Sequence, residues 1–517
     1  MPMDLFDVVD GWAESRHRDK VAVWSPAGTR TYRELRDAAL EVAAGLASRG
    51  VGPGSRVGLM MGNRIEHVEA YFAVATLGAV AVPVNVLLRG EEATHICRDS
   101  DVSVVLVDQH AHRSIDALRD VVPQVVDVDG SAGDYQRLRE SGRWPRTVGI
   151  APESDLVHYY TSGTTGRPKA AVHTHRNIVA SALHQIGDLG ITQDDVFLVV
   201  SSFTWAAGFN SVTMSTVLAG GTIALLPTGG VTLEGLIDHV ERSSATSTVV
   251  APTLLRQLSK DESSMARLAG TTLRTVFTGG EPLGADVILR LHDHVPEVGF
   301  CQAYGLSEFP IVAAALLPHE AVERAGTAGR ATTGNRLAVR THDGQVVGHG
   351  EGELLIRSNA TMRGYLGQPE ATAEAFTDGW LNTGDLVVID EDDYVTVVGR
   401  KKDMIISGGL NIYPAEIENV ANQLAGVQEV AVVGIPDENW GEAVAMVVVS
   451  SADLRPDDVV AFCRERLATY KVPRHVHVQR EPLPRNPSGK LLKAPVRRDY
   501  LARASGEAAS AATGSWN

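Results

Sequence analysis

Tyr160-Thr161-Ser162-Gly163-Thr164-Thr165-Gly166-Arg167-Pro168-Lys169 is a run of small and hydroxylated residues that ends in a rigid proline and a lysine. Two glycines let the backbone turn closely enough for N–H groups to face anionic oxygens, while the hydroxyls and Lys169 add donors and charge. The spacing is not G-x-x-x-x-G-K-[ST], which excludes the loop of P-loop NTPases. The stretch predicts a phosphate-binding loop, with a polar surface turn as the alternative.

The composition is that of an ordinary globular protein. The chain has 517 residues, 44% of them hydrophobic and 21% charged, so at least two domains or subdomains are expected. Its net charge of −16 argues against a nucleic-acid partner. Cys97, Cys301 and Cys463 have no paired spacing, which indicates neither a disulfide framework nor a zinc site and favours a cytoplasmic location.

The sequence predicts neither a signal peptide nor a membrane span, and it predicts a disordered C-terminal tail. The acidic N-terminus does not have the basic start and apolar run of a signal peptide. The most apolar segment, Val74 to Leu88, contains Gly78 and Pro83 and is too short to span a bilayer, so we expect no membrane span. Residues 505–517 are rich in Ala, Ser and Gly and are expected to form a disordered tail, which the predicted domain limits place at 504–517.

Strand and helix patterns alternate over most of the chain. Thr31 and Glu34 form a capping box before a helix that stops at Gly50, and a strand at 57–61, a helix at 66–77 and strands at 79–82 and 102–107 follow. The same alternation recurs after the glycine-rich stretch, from Thr222 to about 278. This pattern is typical of parallel βαβ units, so two α/β sheets are expected side by side.

The sequence pattern changes near Gly329. From there, short strands separated by Gly and Asp turns predict a small barrel or antiparallel layer. A charged segment, 399–403, marks a second boundary. Residues 417–498 alternate Val-rich strands with two helical patterns and are long enough for a separate small domain.

Further polar segments follow predicted strands, where ligands bind in open parallel sheets. Gly279-Gly280-Glu281-Pro282 follows one strand, and Gln302-Ala303-Tyr304-Gly305-Leu306-Ser307-Glu308 follows another. A glycine pair admits a flat ring, Tyr304 offers a stacking face, and Glu308 offers a carboxylate to Mg²⁺. For each feature alone the plain structural explanation is strong, since a glycine pair is usually a turn and a tyrosine usually belongs to the core.

Three more residues have side chains suited to a nucleotide. Asp385 follows a tight turn and could accept from vicinal ribose hydroxyls, and Arg400 could donate to the same ribose. Lys490 lies at the tip of a loop stiffened by prolines, although a lone loop lysine is usually only solvated.

Taken together, these segments resemble the adenylate-forming, or AMP-binding, superfamily, which includes acyl-CoA synthetases, adenylation domains of peptide synthetases and luciferases. Seven motif blocks occur in the family's order between about Thr31 and Arg498, and the chain is most similar to a stand-alone acyl-CoA or fatty-acid-CoA ligase. The resemblance implies an α/β fold. Residues 1–399 would form a large domain of two αβαβα sheets plus a small β-barrel, 400–403 a hinge, and 404–503 a smaller mobile α+β domain.

The resemblance also assigns roles by motif, with ATP, Mg²⁺ and coenzyme A as implied ligands. The phosphate-binding residues would be Thr161, Ser162, Gly163, Thr164, Thr165, Gly166 and Lys169, with Glu308 on Mg²⁺. The nucleotide would be bound by Gly280, Glu281, Gln302, Tyr304, Gly305, Ser307, Asp385 and Arg400. Lys402 would be the hinge, Lys490 the catalytic lysine, and Gly408 and Gly409 the turn that faces the thiol channel.

The substrate pocket departs from the family's usual pattern. Many members have Pro-x-x-His where this chain has Ser201-Ser202-Phe203-Thr204, and amino-acid-activating relatives have Asp where Thr204 stands, so an α-amino acid is not expected. An apolar pocket is predicted from Phe203, Trp205, Phe209, Thr278 and Cys301, and the bulk of Trp205 favours a short, cyclic or aromatic acid.

Three hypotheses for function follow. The favoured one is an AMP-forming ligase that converts a carboxylic acid to an acyl adenylate and then to an acyl-CoA. The second is a stand-alone adenylation enzyme that loads a carrier protein or activates an unusual acid or nucleophile. The third is a non-catalytic nucleotide-binding module, which is disfavoured because Glu308, Asp385, Arg400 and Lys490 are all present. A homodimer is left open.

Overall fold

The computed structural model describes residues 4–130, 133–146, 149–161, 168–229, 231–281, 283–485 and 491–504. The helices are α1 (Leu5–Glu14), α2 (Tyr32–Ser48), α3 (Ile65–Thr76), α4 (Glu91–Asp99), α5 (Ile115–Arg119), α6 (Asp134–Arg139), α7 (His175–Leu189), α8 (Ala206–Phe209), α9 (Val212–Leu218), α10 (Leu233–Ser243), α11 (Pro252–Leu258), α12 (Glu262–Ala269), α13 (Ala285–His294), α14 (Pro369–Ala375), α15 (Pro414–Ala421), α16 (Pro456–Arg464) and α17 (Lys493–Ala504). Short 3₁₀ turns occupy Gln109–Ser114, Lys401–Asp403 and Thr469–Lys471.

The strands follow the same chain order. They are β1 (Val21–Ser25), β2 (Gly28–Thr31), β3 (Arg56–Met60), β4 (Val80–Pro83), β5 (Val102–Val107), β6 (Gln124–Asp127), β7 (Asp155–Thr161), β8 (Lys169–Thr174), β9 (Val196–Val199), β10 (Thr222–Leu225), β11 (Ser247–Val249), β12 (Thr275–Gly279), β13 (Gly299–Leu306), β14 (Phe309–Leu316), β15 (Arg330–Ala331), β16 (Asn335–Arg340), β17 (Val346–Val347), β18 (Gly350–Ser358), β19 (Gly364–Tyr365), β20 (Phe376–Thr377), β21 (Trp380–Ile389), β22 (Val395–Arg400), β23 (Ile405–Ser407), β24 (Leu410–Ile412), β25 (Val427–Asp437), β26 (Gly441–Ser450) and β27 (His475–Gln479).

Two large sheets form the N-terminal part of the molecule, as the alternating pattern predicts. A nine-stranded sheet has the order β15-β14-β13-β12-β11-β9-β10-β1-β2, and a seven-stranded sheet has the order β19-β8-β7-β4-β3-β5-β6. The central strands of both are parallel, whereas β2, β14, β15, β8 and β19 add antiparallel edges. The carboxyl ends of the parallel strands in each sheet therefore lie along one edge, where polar loops can gather.

The remaining strands form two smaller sheets. One is the predicted barrel, which is a half-barrel of six strands built from β16, β17, β18, β20, β21 and β22. The other has five strands in the order β24-β23-β26-β25, with β27 parallel to β26. Helices α15 and α16 contribute Ile417, Ala421, Val459 and Cys463 to the apolar cluster of this sheet. The predicted α+β character of the C-terminal region is confirmed.

The chain divides into two compact units. The first contains Met1–Leu337 and Leu355–Asn382, and the second contains Ala338–Leu354 and Thr383–Asn517. The predicted hinge at 400–403 thus lies within the second unit, and the predicted domain limits stay a prediction. The tail from 505 onwards lies outside the described residues. In the part of the chain that the structure describes, no helix has the length and apolar character needed to cross a bilayer.

The capping box at the start of α2 is present as the sequence predicts. The Thr31 side chain accepts from the Glu34 N–H, and the Glu34 carboxylate accepts from the Thr31 N–H. Near the C-terminal end of the same helix, α2 packs closely on α6 because Gly45 has no side chain. A Cβ at Gly45 would lie 2.3 Å from the carbonyl oxygen of Leu138.

We expect Gly45→Ala to destabilise the first unit, because the added methyl must push α2 away from backbone atoms. The loss should be about 1–3 kcal/mol, as for other overpacked sites. Gly11→Ala is the matched control: Gly11 also lies within a helix, α1, but a Cβ there has nothing within 4 Å. That variant should gain about 0.5–1 kcal/mol from helix propensity. Thermal unfolding midpoints measure both, and equal shifts for the two variants would contradict the packing argument.

A histidine is buried in the core of the first unit. His67 in α3 is fully buried, and its Nδ1 lies 3.2 Å from the carbonyl oxygen of Met61 and 3.3 Å from that of Gly62. Since carbonyls only accept, Nδ1 is the protonated nitrogen of a neutral ring. Burial lowers the pKa of His67 from 6.5 to about 4, despite the two carbonyl hydrogen bonds, which raise it.

Acid should therefore destabilise the fold through this residue. Between pH 6.5 and 4 the unfolded chain takes up a proton at His67 that the folded chain does not, so stability falls as the pH falls. The contribution is up to about 1.4 kcal/mol per pH unit. His67→Gln, whose amide can still donate to the carbonyls, should flatten the dependence of the unfolding midpoint on pH. The exposed control His292→Gln should keep the wild-type slope, and an unchanged slope in His67→Gln would count against this assignment.

Candidate active site

The glycine-rich stretch connects two antiparallel neighbours. Strands β7 and β8 pair so that Thr161 lies opposite Lys169, which makes the intervening loop a hairpin connection in the seven-stranded sheet. Both residues are half-buried. The predicted phosphate-binding residues between them, Ser162, Gly163, Thr164, Thr165 and Gly166, lie outside the described residues. The structure thus fixes the two ends of the loop, and the roles of its residues stay predictions.

Glu308 lies in a tight turn. Strands β13 and β14 pair with Leu306 opposite Phe309, which leaves Ser307 and Glu308 as the two turn residues. The buried His173 of β8 lies with Nε2 2.8 Å from the carbonyl oxygen of Ser307, and the N–H of Met362 donates to the carbonyl oxygen of Glu308 at 2.9 Å. Burial lowers the pKa of His173 to about 4, so its ring is neutral and Nε2–H is the donor. The turn is held from two sides.

Tyr365 joins the two charged residues of this region. Its hydroxyl donates to Oε1 of Glu308 at 2.8 Å, and the Nζ of Lys169 lies 5.3 Å from the centre of its ring. Burial, with the negative charge of Glu308 as the next cause, raises the pKa of Tyr365, so the phenol stays protonated and remains a donor. Tyr365 reaches this position because β19 pairs with β8, with Tyr365 opposite Ala171, two residues from Lys169 on the same face.

Sequence reasoning missed Tyr365. Its contact with Lys169 crosses almost two hundred residues of chain and depends on a two-residue strand at a sheet edge. The pairing of a short edge strand with a distant partner has no local signature.

The described residues around Glu308 suit a metal ion that arrives bound to a nucleotide rather than one held by the protein alone. Among the described residues no group of three His, Cys, Asp or Glu side chains could hold a metal by itself. Glu308 is a single carboxylate, and within the described part of the chain Tyr365 is the protein group bonded to its side chain. Mg²⁺ commonly uses one or two carboxylates together with substrate phosphates and waters, so this residue fits Mg²⁺ that arrives with ATP.

The carboxyl ends of β12 and β13 combine a close backbone approach with unpartnered polar atoms. A Cβ at Gly279 would lie 2.3 Å from the carbonyl oxygen of Ala303, and Gly280 has φ +88. Thr278 and Gln302 are register partners on these strands and are both buried. Among the described residues, Oγ1 of Thr278 and Nε2 of Gln302 have no hydrogen-bond partner. At the carboxyl end of parallel strands, where ligands bind in such sheets, these atoms are available to a ligand.

The other residues predicted to bind the nucleotide base lie on the same edge of the nine-stranded sheet. Glu281 follows Gly280 and pairs with Arg256 at 2.7 Å between Oε1 and Nη1, so its carboxylate is already held. Tyr304 is half-buried and packs against an apolar cluster that contains Phe309. Gly305 is exposed. The structure brings these residues near the end of β13, and their contacts with adenine stay predictions.

The predicted acid pocket is more tightly packed than the sequence suggests. Phe203 and Phe209 are each 1% exposed, with ring centres 4.8 Å apart, and His67 and Tyr71 lie against them at 5.2 Å and 4.3 Å respectively. Trp205 is half-buried. The two phenylalanines are therefore part of an aromatic core cluster, and Trp205 is the aromatic residue of this loop that keeps an accessible surface.

Thr278 and Cys301 do not lie on one face of their sheet. Cys301 packs with Phe277 in the core cluster that contains Phe203 and Phe209, whereas Val276 and Phe300 belong to the cluster on the other side. Because side chains alternate along a strand, Thr278 lies on the side of Val276, opposite to Cys301. One pocket wall cannot contain both side chains along these strands, although the strand ends are shared.

Asp385 and Arg400 are brought together in the second unit. They are register partners on β21 and β22, and Nε of Arg400 lies 2.9 Å from Oδ1 of the buried Asp385. The Asp385 N–H donates to the hydroxyl of Thr383 at 3.1 Å, which fixes the turn before the carboxylate. The sequence predicted a shared ribose site, and the structure gives an ion pair that could present both side chains to one diol.

Gly408 and Gly409 form the turn between β23 and β24, where Ser407 lies opposite Leu410. Both have positive φ, +59 and +80, as a two-residue hairpin turn requires. A Cβ at Gly408 would lie 2.6 Å from the ring of Trp440.

Trp440 was not predicted from sequence. It is 44% exposed, and the guanidinium of Arg474 lies 4.7 Å from its ring centre. Lys402 is exposed in the 3₁₀ turn Lys401–Asp403, and Lys490 lies outside the described residues, so their roles stay predictions.

Comparison with known proteins gives consistent matches along the chain. Residues 10–366 match the AMP-binding enzyme family, and residues 416–490 match the C-terminal domain of AMP-binding enzymes. The chain is 36% identical over 476 residues to the long-chain-fatty-acid–CoA ligase FadD13 of Mycobacterium tuberculosis, with 91% of this chain and 93% of that protein covered. It is 35% identical over 477 residues to a feruloyl-CoA synthase of an Amycolatopsis species, with 91% and 94% covered.

A solved structure has the same fold over its full length. The anthranilate CoA ligase AuaEII, in complex with anthranoyl-AMP, superimposes with a TM-score of 0.89 at 26% identity, covering 98% of this chain and 99% of that one. The family matches, the two ligases and the shared fold agree with the motif order along the sequence. The chain belongs to the AMP-binding enzyme family, the adenylate-forming acyl-CoA synthetase superfamily.

Proposed function

We propose that this protein is an AMP-forming acid–CoA ligase. It activates a carboxylic acid with ATP to an acyl adenylate, releases pyrophosphate, and passes the acyl group to the thiol of coenzyme A. The observation that supports this most directly is the array of Lys169, Tyr365 and Glu308 at the end of the glycine-rich hairpin. In this array the ring of Tyr365 lies between Lys169, a cation suited to phosphates, and Glu308, a carboxylate suited to a nucleotide-bound metal.

The activation step needs this arrangement because two anions must meet. The acid's carboxylate attacks the α-phosphorus of ATP, the bond to the β-phosphate oxygen breaks, and pyrophosphate leaves. Mg²⁺ bound with ATP neutralises charge on phosphate oxygens. Lys169 and Lys490 supply positive charge from this chain; one lysine about 4 Å from a phosphate oxygen contributes on the order of 4 kcal/mol at an effective dielectric near 20. Glu308 would hold the metal from its fixed turn.

The nucleotide would be bound by groups that the fold leaves ready. Gly280 leaves open space for the base, while Thr278 and Gln302 offer buried polar atoms without partners among the described residues. Asp385 and Arg400 would bind the ribose. Their mutual ion pair fixes both side chains before the ligand arrives, which lowers the entropy lost on binding.

The second step requires an approach for the thiol. The Gly408–Gly409 turn has no side chain that could block a narrow passage, and exposed Trp440 with Arg474 beside it suits a flat, negatively charged ligand such as the nucleotide end of CoA. Lys490 has no task in thioester formation. We propose that the C-terminal domain, residues 404–503, rotates about Lys402 relative to residues 1–399. The rotation would replace Lys490, which serves the activation step, by the Gly408–Gly409 turn, which serves thioester formation.

We propose a short, cyclic or aromatic acid as the substrate. Phe203 and Phe209 are fully packed against His67 and Tyr71, which leaves little free volume beside them for a long chain. The half-buried Trp205 presents a flat apolar face instead. Feruloyl-CoA synthase and anthranilate CoA ligase, named for aromatic acids, are among the similar proteins, as is the long-chain-fatty-acid–CoA ligase FadD13.

An acid panel tests the proposed function. Purified protein with MgATP should release pyrophosphate with short, cyclic or aromatic acids and less with long-chain fatty acids, and CoA should convert the adenylate to a thioester. Pyrophosphate release coupled to a phosphopantetheinyl carrier protein but not to free CoA would favour the carrier-loading alternative. The absence of pyrophosphate release and of any bound mixed anhydride with every acid would overturn the proposal.

Lys490→Ala separates the two half-reactions. Since the lysine stabilises charge only when pyrophosphate leaves, the variant should lose acid-dependent pyrophosphate release by about a hundredfold or more. It should keep thioester formation from supplied acyl adenylate and CoA. Equal losses in the two assays would rule out this division of labour, and retained binding of ATP would show that the variant is folded.

A further inference from the structure

Tyr365 was not among the residues singled out from the sequence, yet it lies between the proposed phosphate lysine and the proposed metal carboxylate. Its hydroxyl donates to Oε1 of Glu308 at 2.8 Å, and its ring lies under the ammonium of Lys169 with 5.3 Å between Nζ and the ring centre. One side chain thus makes two separable contacts, one through the hydroxyl and one through the ring face.

The position of Tyr365 is set by backbone pairing. The N–H of Leu366 donates to the carbonyl oxygen of Ala170 at 3.0 Å, and the N–H of Tyr365 itself donates to the hydroxyl of Thr372 at 2.9 Å. These bonds fix the strand that carries the phenol against β8. The phenol is therefore placed by these backbone contacts before any ligand binds.

Glu308 has few other restraints on its side chain. Its backbone is held by the bond from Met362 and, through Ser307, by His173, but neither bond involves the carboxylate. Within the described part of the chain, no protein group bonds to Oε2. Among the described residues, the Tyr365 hydroxyl is thus the contact that selects one carboxylate orientation and leaves one oxygen available.

We propose that Tyr365 is a positioning residue for MgATP: its hydroxyl orients Glu308 toward the nucleotide-bound Mg²⁺, while its ring orients Lys169 toward the phosphates. This inference rests on the proposed function, since it takes Glu308 as the metal ligand and Lys169 as a phosphate ligand. A residue that fixes a metal ligand through a hydrogen bond typically changes metal affinity about 10–100-fold when it is removed.

Two substitutions separate the two contacts. Tyr365→Phe removes the hydroxyl and keeps the ring, whereas Tyr365→Leu removes both. The matched control is Tyr135→Phe, because Tyr135 also donates to a carboxylate, Oε2 of Glu69 at 2.7 Å, but lies on α6 among the core helices. Tyr135→Phe reports what the loss of one buried tyrosine–carboxylate bond does to the protein in general.

Calorimetric titration without acid substrate measures binding of MgATP and, separately, of ATP in EDTA. Tyr365→Phe should weaken MgATP binding about tenfold and leave ATP binding in EDTA unchanged. Tyr365→Leu should weaken both, and Tyr135→Phe neither. In the pyrophosphate assay, Tyr365→Phe should need about tenfold more Mg²⁺ for half-maximal rate.

The outcomes distinguish this inference from the proposed function. If wild-type protein releases pyrophosphate but Tyr365→Phe binds MgATP as wild type does, or loses ATP equally in EDTA, the positioning role is wrong and the proposed function stands. If Tyr135→Phe shows the same selective loss, the effect is one of general stability, which also overturns the role. If wild-type protein neither binds ATP nor releases pyrophosphate with any acid, the proposed function fails, and the positioning role fails with it.

Discussion

The antiparallel pairing of β7 with β8 is the constraint on which the candidate site depends. It places Thr161 opposite Lys169 and so closes the glycine-rich loop at a fixed point of a buried sheet. The far side of β8 then accepts β19, which brings Tyr365 beside Lys169 and within reach of Glu308. His173 from the same strand holds the Ser307 carbonyl. Strand β8 thereby supplies Lys169, holds the turn that contains Glu308 and pairs with the strand that contains Tyr365.

Much of the fold could be predicted from sequence because it depends on local patterns. The capping box at Thr31, the strand Val102–Val107 and the helix from Leu233 were all visible in hydrophobic periodicity and turn residues. The pairing of β1 with β10 was not, since Val23 lies opposite Ile223 across two hundred residues and neither strand encodes its partner. Strand existence is a local property, whereas strand order is decided by the global burial of both sheets.

The site shows the same division. Residues that belong to sequence motifs, such as Glu308 and the glycine pair at 408, could be found from sequence because their backbone needs are local. Tyr365 and Trp440 could not, because each becomes informative only through a contact made by a distant segment. The acid pocket stays a prediction, because a run of aromatic residues gives no sign of which rings face a substrate and which fill the core.

The unpartnered atoms at the ends of β12 and β13 fit a site that a ligand completes, as the proposed function requires. A buried polar group without a hydrogen bond costs about 1–3 kcal/mol, so Thr278 and Gln302 weaken the unliganded fold. Apolar replacements of similar shape would remove that cost, and the surrounding core shows that this sheet buries apolar residues readily. Polar residues are retained at this edge if their partners arrive with the nucleotide. Under the proposed function, binding would recover these hydrogen bonds and would favour a ligand that can satisfy both atoms.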